Sequence, residues 1–192
     1  MALVKTITEI EPIEQSDFLH EAVQANDFVI CKSPDKLKLL LDTLSEDKQL
    51  HFISDGDWSM HDLVTELLNK YSPADIFITT YALREFAVRQ LLMALEKKLL
   101  LSVTMILDAR AKTRTPEVYQ LASHNFSRIR LTEIHAKVTV IRSTKGCVTI
   151  VGSANYTSNP RIEAGVITLD EAAANFHINW IDKTCDHAQI FE

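Results

Sequence analysis

From Asp75 onward, short β-branched runs alternate with stretches at helical spacing, and few architectures can bury both. Asp75–Tyr81 (DIFITTY) reads as a strand and Ser102–Asp108 (SVTMILD) as a second, fully buried one. Between them, Ala82–Lys98 places Leu83, Phe86, Ala87, Leu91 and Leu95 at helical spacing and ends in a lysine pair, which suits a helix C-terminus. Pro116–Asn125 reads as a short helix. Ser127–Leu131, Lys137–Arg142, Val148–Ser153 and Ala164–Leu169 read as four further strands, and Glu171–Asp186 as a closing amphipathic helix with Phe176, Trp180 and Ile181. Upstream, a helix is expected over Pro34–Leu44, a strand over Gln49–Ser54 and a helix over His61–Lys70. This order predicts an α/β fold, a sandwich around one mixed β-sheet flanked by helices. No linker or long-period repeat divides it, so residues 1–192 read as a single domain, with residues 1–60 as an acidic N-terminal extension packed on it.

Four glycines and five prolines in 192 residues exclude a fibrous or low-complexity chain. The cysteines Cys31, Cys147 and Cys185 show no CxxC spacing, so they read as reduced thiols rather than a disulfide framework or a zinc site. The N-terminus lacks the apolar core of a signal peptide and no apolar run approaches the length of a membrane span. A cytoplasmic protein with no membrane partner is therefore expected.

A formal net charge of −6 counts at first against a nucleic-acid partner. Resolved by segment, residues 1–60 carry twelve acids and five bases, a net of −7, and residues 109–145 carry eight bases and two acids, a net of +6. A basic zone therefore sits inside an acidic chain.

That zone leads into the most informative stretch, HAKVTVIRSTKGCVTIVGSAN over residues 135–155. Residues two apart on a strand share a face, so His135 pairs with Lys137 and Ser153 with Asn155. A hairpin centred near Lys145 is expected to set Lys137 opposite Ser153 and His135 opposite Asn155. Four polar side chains would then cluster at one end of a Val/Ile hairpin, where a core has no use for them. The set suits phosphoryl transfer. Imidazole can attack phosphorus or protonate a leaving oxygen, while an ammonium and an amide stabilise charge on the non-bridging oxygens.

His135-Ala136-Lys137 and Gly152-Ser153-Ala154-Asn155 resemble the two ends of the phospholipase D superfamily signature, HxK, four residues, Asp, about six residues, GSxN. The resemblance implies that Glu163, eight residues past Asn155, orients the histidine. There are two departures. Arg142 stands where the family has Asp, and nine residues rather than six separate it from Gly152, which is expected to lengthen the hairpin turn. An arginine there could contact the substrate's phosphate chain, and Arg128 and Arg130 are further candidates for phosphate contacts.

The family's active site joins two such motifs, and this chain contains one. The resemblance thus implies a homodimer whose shared site uses His135, Lys137 and Asn155 of each subunit, with Ser153 and Glu163 supporting them and with no metal or other cofactor. The expected function is a metal-independent phosphodiesterase acting on DNA or RNA, a nuclease working through a phosphohistidine. The alternative is a weakened phospholipase D fold that binds nucleic acid or scaffolds a complex. Asp108 and Arg110 lie at the C-terminal end of a buried strand, where α/β sheets tend to place ligands. His61 reads as a helix-terminal residue, and Phe176 and Trp180 as core or dimer contacts.

Overall fold

The computed structural model describes residues 25–30, 37–38, 41–54, 56, 58–158 and 161–187. Eight strands form one mixed sheet: β1 (Ala25–Ile30), β2 (Lys48–Ile53), β3 (Ala74–Thr80), β4 (Leu100–Asp108), β5 (Arg128–Thr132), β6 (Val138–Ser143), β7 (Gly146–Gly152) and β8 (Ala164–Thr168). Their spatial order is β1-β2-β8-β7-β6-β3-β4-β5. β3, β4 and β5 run parallel, as do β1 and β2, while β2-β8, β8-β7, β7-β6 and β6-β3 pair antiparallel. The fold is α/β with a mixed sheet. β1 was not foreseen, and the helix expected over Pro34–Leu44 lies only partly within the described residues, where 37–38 and 41–42 are helical.

Two faces of apolar side chains require two covers. On one face, Ile76, Ile78, Val103, Met105, Leu107, Ile141 and Val148 pack with α1 (Met60–Tyr71), α2 (Glu85–Glu96) and α4 (Pro116–Asn125). α1 buries Leu63, Val64, Leu67 and Leu68 on one stripe, each contributing roughly 1.5–3 kcal/mol. The Ser59 hydroxyl and the Asp62 carboxylate close a capping box at its start. A single turn, α3 (Ala111–Arg114), leads into α4.

On the opposite face α5 (Glu171–His187) sets Ala174 and Ile178 against Val138, Val140 and Cys147, and Ile181 and Cys185 against Ile106. Trp180 is half-buried there, whereas Phe176 is 66% exposed. Among the described residues no helix is long and apolar enough to cross a membrane.

The hairpin register corrects the sequence expectation by one residue. Val138 pairs with Val151 and Ser143 with Gly146, so Lys137 falls level with Gly152, whose N–H donates to the Lys137 carbonyl at 3.2 Å. The turn is short, not long: only Thr144 and Lys145 link the strands, and Gly146 takes a φ of +121° that other residues rarely adopt. Of the nine residues between Arg142 and Gly152, one ends β6, two make the turn and six belong to β7.

Candidate active site

The site forms where the C-terminal ends of β3 and β4 meet the start of β6 and the end of β7. Thr79, the penultimate residue of β3, fixes the motif backbone. Its hydroxyl donates to the Ala136 carbonyl at 3.2 Å and accepts from the Val138 N–H at 3.0 Å, on either side of Lys137. Buried Asp108, at the end of β4, accepts from the Ile134 N–H at 3.4 Å and from Arg110 Nε at 2.7 Å. That guanidinium, hydrogen-bonded to the carboxylate, holds Asp108 below the usual carboxylate range. The loop carrying His135 is thereby tied to two strand ends.

His135 is exposed and Lys137 half-buried. Lys137 Nζ donates to the His135 carbonyl at 2.6 Å and lies 3.2 Å from Nδ1 and 3.4 Å from Nε2 of the His135 ring. Desolvation lowers the Lys137 pKa, and the charge of Glu163 opposes the shift.

Asn155 is locked by its oxygen. Oδ1 accepts from the N–H groups of Tyr81 and Ala82, both at 3.1 Å, and from Thr80 Oγ1 at 3.2 Å. Its NH2 group is the end left to donate to a ligand. Ser153 donates from Oγ to Glu163 and accepts from the Ala164 N–H at 3.1 Å. Gly152 allows this approach, since a Cβ there would lie 2.8 Å from the Ala164 carbonyl. Among the described residues Glu163 bonds to Ser153 rather than to the imidazole it was expected to orient.

The three arginines expected to bind phosphate lie elsewhere. Arg128 pairs with Asp182 at 3.0 Å and with Asp186, Arg130 Nε donates to the Cys185 carbonyl at 3.1 Å, and Arg142 donates to Asn175. All three bind α5. Sharing a strand with the motif does not bring Arg142 near it: five residues at about 3.3 Å each separate it from Lys137.

Sequence reasoning passed over Tyr81. Its ring lies 5.0 Å from the His135 ring, with Arg110, Arg114 and Lys137 around it at 4.8, 5.5 and 5.8 Å, and its hydroxyl accepts from Arg114 at 2.7 Å. It lines a cleft of about 500 Å3 that also holds Asn155, Arg84, Arg114 and Arg161. A second cleft, of about 470 Å3, holds His135, Asp108 and Arg110. His61 lies outside both clefts, 5% exposed and hydrogen-bonded to Ser59 Oγ at 2.8 Å. Among the described residues no three His, Cys, Asp or Glu side chains gather as a metal site.

No protein-family model matches this sequence, and no curated protein does. Solved structures do match. NucT from Helicobacter pylori superposes with a TM-score of 0.58 at 14% identity, covering 75% of this chain and 99% of NucT. Nuc from Salmonella typhimurium, a phospholipase D family member, gives 0.57 at 17%, covering 74% and 96%. Polyphosphate kinase from Porphyromonas gingivalis gives 0.54 at 15%, covering 75% of this chain and 27% of the kinase. At these identities the likeness is one of architecture: this chain has the fold of NucT and of the phospholipase D family member Nuc.

Proposed function

We propose that the chain is a metal-independent phosphodiesterase that cleaves nucleic acid at a site shared by two copies. The observation that carries this reading is that Tyr81 joins the two ends of the motif: its ring stands 5.0 Å from the His135 ring with Lys137 beside it, and its N–H holds Asn155 so that the amide NH2 is left to donate. In the proposed reaction, one His135 nitrogen attacks phosphorus and forms a P–N bond as the P–O bond to the leaving group breaks. The partner's His135 gives that oxygen its proton. Water then attacks the phosphohistidine, passing a proton back to the partner's His135, and frees the first imidazole. Lys137 and Asn155 stabilise the non-bridging oxygens throughout. Among the described residues the cluster with Lys137 holds one imidazole, His135, where the reaction needs two, and a two-fold partner would supply the second.

The test incubates wild type and His135→Ala with single- and double-stranded DNA, with RNA and with a chromogenic phosphodiester in excess EDTA. EDTA-resistant cleavage is expected for wild type, falling by at least about 10³-fold in the variant. Binding without cleavage by either protein would instead mark a nucleic-acid-binding module. A monomeric mass at micromolar concentration would rule out the shared site.

A further inference from the structure

The arginines of the described chain fall into two sets. Arg89, Arg110 and Arg128 each meet a carboxylate, while Arg130 and Arg142 donate to Cys185 and Asn175. Arg84, Arg114 and Arg161 pair with no carboxylate among the described residues, and all three are exposed along one cleft. They come from the start of α2, from α3 and from the segment before β8, so sequence proximity does not explain the gathering. Three like charges that meet no carboxylate among the described residues repel one another, and an anion bound between them would relieve that repulsion.

The cleft is also built. Arg114 is anchored by its 2.7 Å bond to the Tyr81 hydroxyl, and the Tyr81 backbone in turn holds Asn155. Its volume of about 500 Å3 falls within the range of small-ligand sites, about 300–1,000 Å3. Asn155 and Tyr81 both line it, and the Tyr81 ring stands 5.0 Å from the His135 ring, so the arginine cleft adjoins the proposed reaction centre.

We infer that Arg84, Arg114 and Arg161 form a second phosphate subsite, which takes a non-reacting phosphate next to the scissile one in a polynucleotide. The subsite rests on the reading of the His135 cluster as a phosphodiesterase, but its test does not. Recognition there is of backbone charge and spacing, so it favours a chain of linked phosphodiesters over an isolated one without reading base sequence.

The experiment measures anisotropy of a short fluorescein-labelled oligothymidylate bound to protein carrying His135→Ala, across a range of salt concentrations. Adding Arg84→Gln and Arg161→Gln together is expected to weaken binding about tenfold at low salt. The slope of log K against log salt should fall by about 1.4, two single-strand phosphate contacts at about 0.7 each. Arg89, also on α2, pairs with Glu85 and does not line the cleft, so Arg89→Gln is expected to leave binding unchanged. No binding by the parent, a loss below threefold for the pair, or an equal loss for Arg89→Gln would overturn the subsite. Because binding is read without cleavage, a protein that binds this way and never cuts would sink the proposed activity and leave the subsite standing.

Discussion

Lys137 sits half-buried beside His135, and desolvation sets its pKa below that of an ordinary lysine, near 10.5. An ammonium that stabilises phosphate oxygens acts only while protonated, so activity is expected to fall on the alkaline side before that value is reached. Lys137→Arg, whose guanidinium keeps its proton, should lose this limb along with much of the rate, because a planar fork does not reproduce a point charge. Rate profiles in kcat/KM across the alkaline range decide the matter: a limb that persists in Lys137→Arg belongs to another group. At this scale the sequence was most legible where chemistry follows the chain. His135, Lys137, Ser153 and Asn155 lie within 21 residues and reach one end of one hairpin. Tyr81, Arg84, Arg114 and Arg161 were not legible as a group. They meet only because β3 is inserted between β6 and β4, and no local pattern announces that order.

Among the elements, α5 explains why three arginines of the basic zone are structural. Their side chains leave β5 and β6 on the face that α5 covers, and each finds an acceptor on that helix. Arg142→Asp, which restores the signature residue, is therefore expected to change the cleavage rate less than about twofold, since the site lies at the other end of β6. Arg128→Ala is expected to cost about 1 kcal/mol in urea denaturation, as partly exposed pairs do, with little effect on nucleic-acid binding. A rate change of tenfold in Arg142→Asp would mean that α5 couples to the site. Apart from β1 and the single turn α3, the helices from α1 onward and the strands from β2 onward were readable to within a few residues because their apolar periods are strong. The hairpin register was not. A one-residue difference depends on how Gly146 turns the chain, and counting residues from an assumed centre misses it.

At the scale of the whole molecule, stability should depend on acid through two histidines that folding withdraws from water, buried His61 and half-buried His177. Burial lowers the pKa of His61, with Asp62 opposing, and burial likewise lowers that of His177. The unfolded chain takes up these protons near pH 6.5 and the folded chain only at lower pH, so stability is full above about 6.5 and declines as pH falls below it. His61→Gln should flatten that decline in urea midpoints measured between neutrality and about pH 5; an unchanged slope would assign it to other groups. The net charge of −6 also looks different once folded. Part of the basic zone pairs with α5, and the cationic cleft draws Arg84 and Arg161 from outside that zone.

The proposed sharing of the His135 site between two copies has a genetic consequence. In a site completed by a second copy, a chain bearing His135→Ala spoils every wild-type chain it joins, so the defect is dominant. With free exchange of subunits, the activity left in a mixture should follow the square of the wild-type fraction.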